Sequence, residues 1–319
     1  MIGVINLFFK KFAWALVYSL LLISFTVYIA LDTFVIERQD SAVAPLESQS
    51  ALHSGANMTD GGKSDNNSFF LANENEYIVT DTTYKDSNIN IEITKYREYD
   101  TSIYVAEIRI SSSEYLKTAF ARNIYGRNIT ERPSEIAENV EAVLSVNGDY
   151  YGSRERGYVI RNGTLYRAAA SRDREALAIF SDGSFKTFYE TDYSASDLID
   201  DGAVHVLSFG PALIADGEIT VTENDKVSKE MESNPRTAIG IIDDLHYVFV
   251  VSDGRTDESA GLKLFELAEF MQKLGATCGY NLDGGGSSTM VFNGKVINKP
   301  TTYGDTIEER GVSDIVYIG

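Results

Sequence analysis

Hydrophobicity along the chain falls into three regimes. From Phe12 to Leu31 (FAWALVYSLLLISFTVYIAL) there is no charge in 20 residues. As a helix this stretch is about 30 Å long, the thickness of a bilayer's hydrocarbon core. Lys10 and Lys11 precede it, and Glu37, Arg38 and Asp40 follow. Basic residues belong on the cytoplasmic side. The pattern therefore predicts a short cytoplasmic N-terminus (1–11), a single-pass transmembrane signal anchor (12–36), and an extracytoplasmic remainder at the cell membrane. A cleaved signal peptide is the competing reading, and its apolar region would be unusually long. From Glu37 to about Asn75 the periodicity vanishes and Ser, Asn, Asp and Gly take over, as in SDNNS at 64–68. A flexible spacer (37–75) is expected there.

The third regime, 76–319, alternates. Ile89, Ile91 and Ile93 are separated by polar residues, as are Tyr104, Ala106, Ile108 and Ile110, which is the period of a half-buried strand. Asn162-Gly163, Asp182-Gly183, Asp216-Gly217 and Asn293-Gly294 mark hairpins, each between short apolar or β-branched runs. Helical spacing is rarer. Ile136, Val140 and Val143 follow Pro133, and LKLFELAEFMQKL (262–274) is apolar around most of its circumference, ending at the cap residue Gly275. The expectation is an α+β fold of mixed, mainly antiparallel sheets with a few packed helices, preceded by one transmembrane helix.

Composition narrows the chemistry. A net charge of −19 argues against nucleic-acid binding, which needs a basic surface. Acidity also opposes long-range capture of an anionic substrate, but screening over about 8 Å lets a few converging arginines bind a phosphate locally. The single cysteine, Cys278, excludes an intramolecular disulfide and a Cys-based zinc site. The three histidines, His53, His205 and His246, are far apart. There is no GxSxG elbow, HExxH, P-loop, dinucleotide fingerprint or EF-hand spacing.

Four segments carry candidate chemistry. In Asn281-Leu282-Asp283-Gly284-Gly285-Gly286-Ser287-Ser288 an acid closes a strand, and a glycine turn can offer successive N–H groups to an anion. Ser252-Asp253-Gly254-Arg255 follows the strand YVFVV at 247–251, and a guanidinium fork suits phosphate oxygens. Arg236 opens an apolar strand in NPRTAIG, and Asn147, Asp149, Tyr150 and Tyr151 end one in VNGDYYG. Each segment alone reads equally well as an ordinary turn or a strand-edge charge.

Together and in order, they resemble the phosphodiester glycosidase family. The resemblance runs from about Ile91 onward through VNGDYYG (146–152), GYVIRNGTLYR (157–167), FGPALIADGEI (209–219), NPRTAIG (234–240), SDGR (252–255) and NLDGGGSSTMVFNGKVINKP (281–300). The family pattern commonly has a second glycine and a phenylalanine where this chain has Asp149 and Tyr151. The resemblance implies a catalytic domain at 76–319 that hydrolyses a glycosyl phosphodiester, releasing sugar and leaving a phosphomonoester. It implies catalytic roles for Asp283 as nucleophile or base, Asp253 as its partner, and Asp149. Arg236 and Arg255 would hold phosphate. Asn147, Asn281, Gly284, Gly285, Gly286, Ser287 and Ser288 would line the substrate site. The expected partners are a glycosyl-phosphate or polysaccharide substrate and the membrane; the oligomeric state is not legible. No cofactor is expected, although Ca²⁺ or Mg²⁺ stays open. A metal-dependent phosphodiesterase using Asp253, Asp257 and Asp283, or a polysaccharide-binding module without turnover, remain alternatives.

Overall fold

A computed structural model describes residues 2–42, 78–223, 233–302 and 306–319. Most of the expected spacer lies outside them. The apolar N-terminal segment is a helix, α1 (Ile2–Phe34). Its Ala13–Phe34 stretch has mean hydropathy 2.1, and none of it is buried by the rest of the chain.

The alternating segments form the predicted strands. A long hairpin, β1 (Ile89–Glu98) and β2 (Thr101–Ile110), joins β3 (Leu116–Phe120), followed by α2 (Pro133–Asn139) and β4 (Leu144–Asn147). Then come β5 (Val159–Arg161), β6 (Glu175–Phe180), α3 (Ala195–Asp200), β7 (Ala203–Leu207) and β8 (Ala212–Ala215). The last elements used here are β9 (Arg236–Asp243), β10 (His246–Ser252), α4 (Leu264–Lys273), β11 (Cys278–Asn281), β12 (Met290–Phe292) and β13 (Asp314–Ile318).

All named pairings are antiparallel. A nine-stranded sheet has β8-β11-β9-β10-β2-β1 at its centre. One five-stranded sheet contains β12-β4-β13-β3, and a second contains β5-β7-β6. The alternation explains the layering, because successive side chains of a strand point to opposite faces. Ile91, Ala106, Ile108, Phe249, Val251 and Ile239 face the β12-β4-β13-β3 sheet through Leu144, Val146, Met290 and Val316. Ile103, Val105, Val248, Val250 and Ala238 face the other way and are covered by Leu267, Phe270 and Met271 of α4. α2 and α3 cap the outer faces of the two smaller sheets.

Three differences from the sequence reading have simple causes. The helix after Pro133 stops at Asn139, with Val140 as its cap and Val143 outside it, because Val143 N–H instead pairs with Ile318 O of β13. α4 buries one face only, with Gln272 and Lys273 exposed. The spacer does not start free. Arg38–Gln39 pair with Gly126–Arg127, and Asp40 N–H donates to Tyr125 O at 3.0 Å, so the first spacer residues extend a two-stranded pairing with the domain.

Candidate functional site

β9 begins, and β10 and β11 end, at one edge of the nine-stranded sheet, as their registers require, and hydrogen bonds from Asn147 bring the end of β4 in the neighbouring sheet beside them. Ala238 lies opposite Asn281, Arg236 opposite Ser252, and Ile315 of β13 opposite Asn147. Four segments scattered through the sequence therefore leave their strands side by side.

Asn147 knots them together. Its Nδ2 donates to Asp283 O at 2.7 Å, while its Oδ1 accepts from Thr237 Oγ1 at 2.8 Å and Thr289 N–H at 3.3 Å. Asp283 N–H donates to Gly148 O at 3.2 Å. The glycine turn packs on the segment that opens β9. Gly285 N–H donates to Pro235 O at 2.8 Å, and a Cβ on Gly284 would lie 2.9 Å from that same backbone oxygen. Only glycine permits this approach. Arg236 Cδ lies beside Gly284, and the Arg255 guanidinium lies against Gly285. Arg236 Nε donates to Leu262 O at 2.9 Å, and Arg255 reaches Asn234 Oδ1 through Nε at 3.2 Å and Nη2 at 3.1 Å.

Asp283 is the acid at the centre. Its side chain is 15% exposed. Oδ1 accepts from Gly284 N–H at 2.9 Å, and Oδ2 accepts from Ser287 Oγ at 2.6 Å and from Arg310 Nη2 at 3.0 Å. Burial pushes its carboxyl above the ordinary carboxylate range, opposed by Arg310, by the Ser287 and Gly284 donors, and by Arg154. Arg154 stands 4.7 Å over the Phe209 ring and 5.9 Å over the Tyr150 ring, which is exposed.

The other two carboxylates are placed differently. Asp149 is fully buried: Oδ1 accepts from Tyr151 N–H at 3.1 Å and Oδ2 from Ser208 N–H at 2.6 Å, with Arg161 Nη2 at 3.0 Å. Arg161 also grips Asp314 Oδ2 from Nε at 3.0 Å and Nη2 at 2.8 Å. Burial works against the Arg161 charge, but the two acids outweigh it and raise its pKa, while burial drives Asp314 upward. Asp253 is 3% exposed and turned toward 298–299, accepting from Lys299 N–H at 2.7 Å, and burial raises its pKa. Asn298, which lies 3.5 Å from Asp253, also donates to Ser288 O at 2.9 Å.

Asn281 Nδ2 donates to Gly210 O at 2.8 Å, but Asn281 Oδ1 and Ser288 Oγ are buried and find no partner among the described residues. His205, Cys278 and His246 behave as core or edge residues, His246 pairing with Glu107 at 2.8 Å. Among the described residues no group of three or more His, Cys, Asp or Glu is arranged to hold a metal, and Asp257 is exposed on its loop. A cavity of about 700 Å³ opens at the far end of β9, between Phe185, Lys186, Asp216, Asp243 and Thr277, and contains none of the candidate residues.

Arg310, Arg154, Arg161 and Asp314 were not singled out from sequence. Arg161 sits inside the quoted GYVIRNGTLYR segment, where an arginine in an apolar run was the available signal. Arg310 lies in a polar stretch with no pattern to flag it.

Residues 140–319, more than half of the chain, match the phosphodiester glycosidase family. The chain belongs to that family. It is 26% identical over 257 residues to the SPbeta prophage-derived protein YomE of Bacillus subtilis, covering 78% of this chain and 39% of that protein. Mouse N-acetylglucosamine-1-phosphodiester alpha-N-acetylglucosaminidase is 30% identical over 159 residues, 46% of this chain and 30% of the mouse protein. The chain thus spans well under half the length of these two relatives. The auto-inhibited catalytic domain of the zebrafish N-acetylglucosamine-1-phosphodiester alpha-N-acetylglucosaminidase superposes with a TM-score of 0.58 at 21% identity, over 72% of this chain and 82% of that one. A protein from Synechocystis gives 0.58 at 14% identity, over 73% and 62%. These two structures share the fold.

Proposed function

We propose that this phosphodiester glycosidase family member is a membrane-tethered hydrolase that cleaves the glycosidic bond of a sugar-1-phosphodiester. One observation carries the reading: Asp283, partly exposed, stands at a glycine turn with Arg310 on its carboxylate and Arg236 and Arg255 packed against the same turn. In the reaction the oxygen of water bonds to the anomeric carbon, the bond from that carbon to the bridging oxygen breaks, and the phosphomonoester leaves with the electron pair. Phosphate leaves readily, so the demands on the protein are a carboxylate facing the cationic sugar carbon and donors for the departing oxygens. Asp283 is assigned the first role, Arg236 and Arg255 the second.

Asp149, enclosed with Arg161 and Asp314, fits a positioning role beneath the turn. Asn147 holds the loops in place through its saturated amide. Asn281 and Ser288 are kept as residues of the substrate site on the family resemblance, both lying beneath its surface. Asp253 is kept as the second carboxylate of the site.

The test is product analysis on a sugar-1-phosphodiester in the presence of EDTA. Free sugar and a phosphomonoester are expected, with Asp283→Asn slowing turnover about 10²–10⁴-fold and Arg236→Ala weakening phosphate stabilisation. Release of sugar phosphate, or loss of all activity with EDTA, would instead indicate metal-dependent P–O cleavage. Unchanged rates in a folded Asp283→Asn protein would remove the assignment.

A further inference from the structure

The contact between α1 and the domain goes beyond a tether. Asn128 Nδ2 donates to Thr33 O at 3.3 Å and Ile36 O at 3.0 Å, so the domain grips the last turn of the helix and the residues just past it. Arg38 pairs with Asp32 in that turn, and Arg122 Nη1 reaches Glu37 Oε2 at 3.0 Å. The Arg38–Gln39 strand then lies on Gly126–Arg127 so closely that a Cβ on Gly126 would sit 2.0 Å from Arg38 O. Between Phe34 and Arg38 only three residues intervene, a reach of at most about 14 Å over four peptide steps. A free spacer over 37–75, by contrast, would let the domain range over about 35 Å.

The docked strand is also close to the candidate site. Asn128 N–H donates to Gly152 O at 3.0 Å, and the Tyr125 ring stacks on Tyr151 at 5.3 Å and 16°. Tyr151 N–H donates to Asp149, and Asp283 N–H to Gly148 O. A short chain of contacts therefore runs from Ile36 through Asn128, Gly152, Tyr151, Asp149 and Gly148 to Asp283.

We propose that the domain is docked rigidly on the outer end of α1, and that its substrate is a glycosyl-1-phosphodiester whose aglycone alcohol is itself fixed in the same bilayer. The substrate half of this inference rests on the glycosidase reading above; the docking half does not. A water-soluble sugar phosphodiester gains nothing from a site held near the headgroups, whereas a membrane-borne one meets it in two dimensions at fixed height. Water adds to the anomeric carbon, the carbon–oxygen bond to phosphate breaks, the sugar departs into water with its new hydroxyl, and the phosphomonoester stays on the membrane anchor with the displaced electron pair. One proton is released to solvent.

The full chain in anionic vesicles provides the test. Three probes are compared: a soluble methyl sugar-1-phosphodiester, a sugar-1-phosphoryl prenol in the vesicle, and the same sugar phosphate on a lipid through a short hydrophilic spacer. Two variants loosen the dock: Gly126→Ala, which lies beside the Tyr151 turn but replaces no candidate residue, and a 20-residue Gly/Ser insertion between Ile36 and Glu37 that adds about 25 Å of free reach and leaves the domain untouched. Expected are a vesicle-to-soluble ratio of kcat/KM at least fivefold higher in wild type than in either variant, with soluble activity within twofold throughout. The prenol and spacer probes separate a direct lipid aglycone from a lipid-anchored chain. Slow amide exchange at 38–40, lost in Gly126→Ala, and a helix retained in membrane-extracted protein are also expected. An equal ratio in the insertion variant overturns the substrate assignment; rapid exchange at 38–40 or a chain beginning after residue 36 overturns the dock. If even the soluble probe is untouched, the glycosidase reading fails, and amide exchange still decides the docking.

Discussion

Asp283 is governed by a contest between desolvation, which raises its pKa, and Arg310, the strongest opposing influence. Removing that cation by Arg310→Ala raises the carboxyl further, so a reaction that needs the carboxylate begins to lose rate sooner as pH falls. The acid limb of the kcat profile is expected to move alkaline; a limb that stays in place would mean another group controls the rate. Arg161 poses the opposite problem. It is 2% exposed between Asp149 and Asp314, and Arg161→Met leaves both acids buried without a counter-charge. A loss of about 3–5 kcal/mol is expected in urea unfolding, partly relieved by adding Asp149→Asn.

The elements were the legible part. Asn162-Gly163 and Asn293-Gly294 both turn with positive φ, as two-residue hairpins require, and Asp216-Gly217 does the same. The alternation in β1 and β2 places Ile91 and Ile108 in the core as a period of two demands. What could not be read was which turns share an edge, since that depends on the cross-strand registers of β9, β10 and β11, and these are set by packing between distant segments. Arg310 was invisible for the same reason: its meeting with Asp283 is a tertiary event. Two substitutions test the elements. Leu267→Ala on the buried face of α4 should cost about 2–5 kcal/mol in thermal or urea unfolding. Gly284→Ala drives a methyl group against the Pro235 carbonyl, which is backbone and cannot swing away; turnover should fall far more than substrate binding.

For the whole molecule, burial acts on the shifted acids mostly in one direction. Asp253, Asp283, Asp314, Glu175 and Glu190 all have carboxyls raised by burial. A group with a raised pKa binds its proton more readily folded than unfolded, so it opposes unfolding below its unfolded pKa and loses that contribution as pH climbs through the folded value. Self-repulsion at −19 also grows with pH. Asp182 and Glu258 shift the other way but are solvent-facing, while His205 and His246, held below the ordinary imidazole range by burial, oppose the acids as pH falls and set two groups against five. The melting temperature should therefore rise as pH is lowered from 8 toward 5. A flat or falling profile over that interval would show that the buried acids do not dominate.

β13 lies between β4 and β3, and its first residue, Asp314, completes the pair of acids around Arg161. These partners are 153 residues apart in the chain. At ordinary translation speeds roughly 8–30 s pass between the synthesis of one and the other. A nascent polypeptide thus carries Arg161 and Asp149 without their third partner until the chain is nearly complete, and the charged cluster closes only once the late strand inserts.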